Sequence, residues 1–181
     1  MKKIILWVGL GLLIGSTATA QKYISDTGSI TFFSDASIED IKATNSKVTS
    51  LLNIASGDWV FSVPMTEFKF DKKLMEEHFN EKYVESEKYP KATFSGKLIG
   101  FSPEATGKQQ VRAVGKLNIH GVSKEIDVPG TIQLTDLKLA ADARFVIKLE
   151  EYNIERPKIL WKNIAEEVEV TVTFTYKPYE K

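Results

Sequence analysis

Strict alternation of apolar and polar residues near the C-terminus constrains the fold of this chain more than any other feature. Residues 167–176 read EVEVTVTFTY, with an apolar side chain at every even position. Successive side chains of a β-strand point to opposite faces, so this segment carries one apolar row and one polar row. A helix would scatter the same residues around its circumference. The segment is therefore predicted to be a strand with one buried and one solvated face.

Shorter alternating runs occur along most of the remaining chain. They predict strands at residues 30–33, 47–52, 59–63, 93–101, 110–119, 124–128, 131–134 and 143–149. Turn signals separate several of them, at residues 56–58, 106–108, 120–121 and 129–130. Many short strands with frequent turns and one wet face predict an all-β fold, either an antiparallel barrel or a sandwich.

One segment has the spacing of a helix instead. Asp71 is a good N-cap residue for a helix over residues 71–80, and a second short helical turn is predicted over 38–43. The first helix has one apolar stripe, formed by Leu74, Met75, His78, Phe79 and Tyr83. Such a helix is expected to cover one end of the sheet, either as a static plug or as a mobile cover that residues 83–90 allow to move.

The first twenty residues have the order of a secretory signal peptide. Lys2 and Lys3 precede an apolar run over residues 4–14, and Ala18-Thr19-Ala20 supplies the small residues of a cleavage site before Gln21. A membrane anchor is the alternative, but it needs about 20 apolar residues. We therefore expect a signal peptide at 1–20 and one exported domain at 21–181, periplasmic or secreted and without stable membrane insertion.

Charge and cysteine content exclude several functional classes. The chain has 24 basic and 24 acidic residues, and loss of Lys2 and Lys3 would leave 22 against 24, with the two signs well mixed. Nucleic acids and anionic membranes select concentrated positive charge, so neither is an expected partner. The absence of cysteine excludes disulfides, thiol catalysis and thiolate metal sites.

No catalytic or metal-binding motif is recognisable. His78 and His120 are far apart and have no second His or Cys at ligand spacing. His78 lies on the helical stripe, where a packing role is favoured over a metal or catalytic one, and His120 falls in a predicted turn. No serine has the context of a hydrolase nucleophile. An enzyme is therefore not predicted, and no metal or cofactor is expected.

The interior of a closed sheet could serve as a site. A barrel of about eight strands has room for its side chains and one small ligand. An apolar interior that is not filled could bind a hydrophobic molecule, whereas a filled one would be an ordinary core. Alternation alone does not distinguish these two cases.

Three segments resemble the YceI-like family. The family's central helix and the strand entry that follows it are similar to residues 75–94, MEEHFNEKYVESEKYPKATF. One of its hairpins is similar to residues 115–124, GKLNIHGVSK. Its first strand is similar to residues 28–32, GSITF. The resemblance implies an extended, lipocalin-like antiparallel β-barrel whose interior binds a polyisoprenoid, an isoprenoid quinone or a similar lipid. Gly28 departs from the family pattern, because many members carry a histidine there, and residues 34–36 lack a second one.

We therefore expect an exported carrier or storage protein with a long apolar lipid as its non-covalent ligand. The alternative is a structural or stress-related exported barrel with a filled core. The oligomeric state stays open, a homodimer included. The predicted tunnel lining consists of apolar residues at alternating strand positions and on the helix: Phe33, Trp59, Phe61, Phe68, Phe70, Met75, Phe79, Phe94, Leu98, Leu117, Phe145, Ile147 and Phe174.

Overall fold

The computed structural model describes residues 22–35, 40–135, 138–155 and 165–179, so the predicted signal peptide lies outside the described residues. Within these ranges the chain forms ten strands and one short α-helix. The strands are β1 (Lys22–Ser34), β2 (Ile41–Asn45), β3 (Thr49–Asn53), β4 (Asp58–Pro64), β5 (Lys69–Phe70), β6 (Lys91–Ile99), β7 (Gly107–Ile119), β8 (Val122–Leu134), β9 (Leu139–Lys148) and β10 (Glu167–Pro178). The helix is α1 (Lys73–His78), followed directly by a π-helical turn (Phe79–Tyr83).

Eight of the strands close into an antiparallel barrel. They follow the order β10-β9-β8-β7-β6-β4-β3-β1, and β1 pairs with β10 to complete the ring. The closing ladder sets Ile30 opposite Val172 and Gly28 opposite Phe174. Closure removes the exposed edges that an open sheet would leave unpaired. The prediction of an antiparallel barrel of about eight strands is confirmed.

The remaining two strands, β2 and β5, extend the sheet at one end of β1. Both β2 and β3 pair with β1 in a single register, with Ser34 opposite Ile41 and Ile24 opposite Leu51, and β5 pairs with β2. Residues 41–43 therefore belong to a strand, and the helical turn predicted over 38–43 is wrong for them. Pairing with β1 outweighs the local helix signal there, whereas residues 36–39 lie outside the described residues.

The turn predicted at residues 129–130 is also wrong, because β8 runs through Pro129 and Gly130 without interruption. Strand β7 pairs with β8 along its whole length, but β9 pairs with β8 only from Gly130 to Leu134. Pro129 thus lies where β8 has a ladder partner on one side only. Proline has no N–H to donate, and such a one-sided position is where a strand tolerates it.

Helix α1 is shorter than predicted. It begins after Lys72, whose extended backbone provides the N-cap without a side-chain hydrogen bond, so the predicted cap at Asp71 is wrong. Leu74 is 61% exposed and does not belong to the buried stripe. The half-buried residues Met75 and Phe79 share the inner face at a spacing of four. None of the helices in the described part of the chain has the length and apolarity that a membrane-spanning helix requires.

Candidate ligand cavity

An apolar cavity of about 220 Å³ occupies the end of the barrel next to α1. Protein interiors have few voids larger than a water molecule, so a hollow of this size is not an ordinary packing defect. Side chains from β1, β4, β6, β7, β9, β10 and the α1 region converge on it. The lining residues are Ile30, Phe32, Ser34, Ile41, Phe61, Val63, Met65, Phe68, Phe70, Met75, His78, Phe79, Tyr83, Val84, Ala92, Leu117, Ile119, Phe145, Ile147, Leu149, Ile154, Val168, Val170 and Val172.

The barrel is hollow in one half and filled in the other, and β10 shows the division. Its inward row begins with Val168, Val170 and Val172, which all line the cavity. The same row continues with Phe174 and Tyr176, which do not line it and are both 0% exposed. Because side chains at every second position share a face, all five point into the barrel. The two halves therefore differ in the size of the inward side chains on β10, valine in the hollow half and Phe174 and Tyr176 in the filled half.

A hydrogen-bonded cluster of three buried side chains lies in the filled half. The Tyr176 hydroxyl lies 2.8 Å from Ser50 Oγ, and the Trp59 indole N–H donates to both oxygens, at 2.8 Å to Tyr176 and 2.9 Å to Ser50. Ser50 in turn donates to the carbonyl of Val60 at 2.9 Å. With Tyr176 donating to Ser50, every donor in the cluster has an acceptor, as buried polar groups require. Burial raises the pKa of Tyr176, so its hydroxyl stays protonated and able to donate.

Stacked aromatic rings separate the hollow half from the filled half. Phe61 lines the cavity and stacks on Phe94, with ring centroids 5.1 Å apart and an interplanar angle of 20°. Its ring is also 5.9 Å from that of Phe174, and Trp59 contacts both Phe61 and Phe94 edge-on. We call Phe61, Phe94 and Phe174 the aromatic floor.

A second aromatic cluster lies at the other end of the cavity, under α1. Phe79, the first residue of the π-helical turn, packs within 5.5 Å of Phe32, Phe68 and Phe70, measured between ring centroids. These rings come from β1, from the segment after β4 and from β5, so one of the two extra strands, β5, helps to hold the helix in place. Met75 and Tyr83 also face the cavity and are only half-buried. The α1 region therefore covers the hollow end of the barrel.

His120 ties together three segments that border the cavity. The predicted turn between β7 and β8 is present, with positive φ angles of 52° at His120 and 75° at Gly121. The His120 ring lies 2.8 Å from a Glu85 carboxylate oxygen and 3.2 Å from the carbonyl of Tyr152. Tyr89 packs against it at 4.4 Å. The turn role is confirmed, but no sequence signal connects His120 with Glu85, 35 residues away.

The described walls of the cavity contain few groups that could pair with a polar or charged ligand. None of the described residues that line it is Asp, Glu, Lys or Arg. Ser34 is already engaged, since its Oγ accepts a hydrogen bond from the Ala165 N–H at 3.0 Å. His78 lies on the cavity wall, and its predicted packing role stays a prediction. Among the described residues, no group of three His, Cys, Asp or Glu side chains is arranged to hold a metal ion.

The structure brings together eight of the thirteen residues predicted to form the tunnel lining. On the cavity wall are Phe61, Phe68, Phe70, Met75, Phe79, Leu117, Phe145 and Ile147. Trp59, Phe94, Leu98 and Phe174 point inward but lie buried in the filled half. Phe33 is placed differently, because Phe32 lines the cavity and its neighbour points to the opposite face, between Lys42 and Glu169 of the adjacent strands. Because side chains alternate between the two faces of a strand, an error of one residue in the predicted inward position assigns Phe33 to the wrong face. Whether the eight residues bind lipid stays a prediction.

Sequence reasoning missed several wall residues for which a signal exists. Val168, Val170 and Val172 belong to the same alternating row as Phe174, which was predicted to line the interior. Ile30 and Phe32 are two residues apart on β1 and both lie on its inward face. By contrast, Val84 and Ile154 lie outside any periodic segment, and only the tertiary fold brings them to the cavity.

Comparisons with known proteins agree with this architecture. A polyisoprenoid-binding domain from Saccharophagus degradans superposes with a TM-score of 0.75 at 16% identity, covering 87% of this chain and 98% of that one. BcnA from Burkholderia cenocepacia gives a TM-score of 0.70 at 17% identity, with coverages of 82% and 95%. The YceI protein of Campylobacter jejuni gives 0.57 at 16% identity, with both chains covered completely. At these identities the likeness establishes the fold alone.

Sequence comparison identifies the family. A search of curated protein sequences finds no match. The sequence profile of the YceI-like domain, however, matches residues 17–176, which is nearly the whole chain. This match spans the segments that carry the sequence resemblance and all ten strands up to Tyr176. The chain therefore belongs to the YceI-like domain family.

Proposed function

We propose that this protein binds a long apolar lipid in the hollow half of its barrel and serves as an exported carrier or storage protein. The class of lipid is a polyisoprenoid, an isoprenoid quinone or a similar chain. The observation that carries the proposal is the lining itself, which is almost entirely aliphatic and aromatic. Because its described lining includes no Asp, Glu, Lys or Arg, the cavity disfavours ions and polar metabolites energetically and favours hydrocarbon. The described polyisoprenoid-binding relative from Saccharophagus degradans supports the same ligand class.

The energetics of burial suit such a ligand. About ten methylene groups transferred from water at about 0.8 kcal/mol each contribute about 8 kcal/mol, the free energy of a micromolar complex. Immobilising a flexible chain opposes binding by several kcal/mol. A bound lipid therefore gains from every further methylene that the protein covers, and it needs no charged anchor in the interior.

Export forms the second part of the proposal. It rests on the order of the first twenty residues, a basic start, an apolar run and Ala18-Thr19-Ala20, which together are typical of a signal peptide. A lipid carrier in the periplasm or outside the cell would shield an apolar chain between membranes. We propose no catalytic role, since the described residues that line the cavity include no nucleophile paired with a base.

Native mass spectrometry of the protein purified from its exported fraction tests the binding proposal. We expect a population heavier than the apoprotein, and organic extraction followed by mass analysis should release an apolar lipid. A filled, structural barrel would show the bare mass only. That result, together with failure to take up added polyprenol, would overturn the proposal.

Two variants sharpen this experiment. Val170→Trp places an indole in the hollow half, where Val170 lines the wall, and should reduce lipid retention. Val146→Trp is the matched control, because Val146 is 54% exposed and its neighbours Phe145 and Ile147 are the ones that face the cavity. Equal lipid content in the two folded variants would place the bound lipid outside the cavity.

A further inference from the structure

The aromatic floor limits how far a ligand can enter. On β10 the wall of the cavity ends at Val172, and the next inward residue, Phe174, is fully buried. On β1 the wall ends at Ile30, opposite Val172, and the next inward position is Gly28, opposite Phe174. Both strands of the closing ladder thus lose contact with the cavity at the same level. The barrel is a blind pocket at this level rather than an open tunnel.

The depth of the pocket follows from the strand geometry. Val168 and Val172 are four residues apart, which is about 14 Å along the strand. Because the strands of a barrel are tilted relative to its axis, this corresponds to about 10 Å along the axis. An extended chain advances about 1.2 Å per bond, as the polypeptide itself does. The pocket therefore has the depth of about nine to twelve chain atoms, which corresponds to two or three isoprene units.

The floor is held in place from below. Phe174 packs against Tyr176, with ring centroids 5.6 Å apart, and Trp59 contacts Phe61 and Phe94. Tyr176 and Trp59 are themselves fixed by their hydrogen bonds with Ser50. A side chain that must break a buried hydrogen bond to move yields less readily than one held by contacts alone. A longer ligand therefore does not displace the rings into the filled half.

We propose that the pocket takes an apolar chain tail-first, to a depth of two or three isoprene units, and that Phe61, backed by Phe94 and Phe174, is the stop that sets this length. This inference rests on the proposed function. The remainder of a longer lipid, with any polar group, stays at the α1 end, where the half-buried lining residues Met75 and His78 lie.

The test is a chain-length series of prenyl alcohols with two, three, four and nine isoprene units, measured by displacement of a fluorescent apolar dye. Each fully buried unit adds several methylene equivalents, which is at least a tenfold gain in affinity. For the unaltered protein we expect such a gain from two to three units and less than about a threefold gain for each further unit.

Phe61→Ala and Phe145→Ala form a matched pair. Both remove the same ring from a half-buried wall position, but Phe61 stacks on the floor whereas Phe145 lies on the side wall, opposite Val170. We expect the Phe61 variant to gain about tenfold on going from three to four units, and the Phe145 variant to keep the original limit. Phe61→Leu, a smaller truncation, serves if Phe61→Ala does not fold.

The outcomes separate this inference from the proposed function. If no alcohol binds the unaltered protein at any length and no lipid is recovered from it, the proposed function fails. If the alcohols bind but affinity rises steadily to nine units, or if the Phe61 and Phe145 variants shift the limit equally, the proposed function stands and the stop is refuted. A limit near three units that moves only with Phe61 supports both.

Discussion

Gly28 is a position at which a single added methyl group should disturb the packing of the barrel interior. A Cβ added there would lie 2.6 and 2.7 Å from two ring carbons of Phe174 and 2.8 Å from a methyl carbon of Val48. Real Cβ contacts are not this short, so a neighbour must move. Phe174 is 0% exposed and lies in the aromatic floor, and Val48 is 6% exposed, so neither has free space to move into.

The magnitude follows from two opposing effects. Overpacking a well-filled core costs about 1–3 kcal/mol. Replacing glycine by alanine lowers the conformational entropy of the unfolded chain and thereby stabilises the folded protein by about 0.4–1 kcal/mol. This gain applies at Gly28 because its φ is not positive. We expect Gly28→Ala to destabilise the protein by about 1–2 kcal/mol, which lowers the Tm of a domain of this size by roughly 2–8 °C.

A double-mutant cycle identifies the cause. Phe174→Leu removes part of the ring and should cost about 1–2 kcal/mol by itself, less than the 3–5 kcal/mol of a truncation to alanine. In that background the added methyl of Gly28→Ala has room, so the double variant should be at least about 1 kcal/mol more stable than the sum of the single effects predicts. Urea denaturation of the unaltered protein, the two single variants and the double variant gives the four free energies of unfolding that the cycle compares, provided that the m-values agree.

Ser29→Ala is the control, because Ser29 lies next to Gly28 on the other face of β1 and should change stability by no more than about 0.5 kcal/mol. Its effect should add to that of Phe174→Leu. Strict additivity of Gly28→Ala with Phe174→Leu, or a Gly28→Ala variant as stable as the unaltered protein, would refute the contact between this glycine and the floor.

Three further outcomes are expected. N-terminal sequencing of the exported protein should begin at Gln21, and recovery of an uncleaved chain in the membrane fraction would contradict the signal peptide. Burial raises the pKa of Tyr176 above its unfolded value near 10. The contribution of the protonated Tyr176 to the free energy of unfolding is therefore fully present below pH 10 and is lost as the pH rises further. Tyr176→Phe should therefore make the free energy of unfolding fall less steeply above pH 10, by about 1.4 kcal/mol per pH unit, in denaturant titrations; equal slopes would contradict this. Amide exchange over residues 74–89 should be faster in the lipid-free protein than in the lipid-bound one while the strands stay unchanged, and equal protection in both states would identify α1 as a static plug.

The sequence alone predicts which elements form and which strand faces are apolar. The alternation over residues 167–176 depends only on the two-residue period of a strand, so it correctly places both Val170 and Phe174 inside the barrel. The same period fails at β1, where two adjacent phenylalanines leave the parity open and Phe32, rather than Phe33, faces inward. Pro129 shows a second limit, because its tolerance depends on the absence of a β9 partner at that level.

Only the tertiary structure decides where the interior is hollow. Val170 and Phe174 have the same sequence signature, yet one lines a cavity and the other fills the core, since the remaining space depends on the side chains that seven other strands bring to the same level. The contact of His120 with Glu85 likewise joins residues that no local pattern relates. Alternation is a property of neighbours along the chain, whereas free volume is a property of neighbours in space.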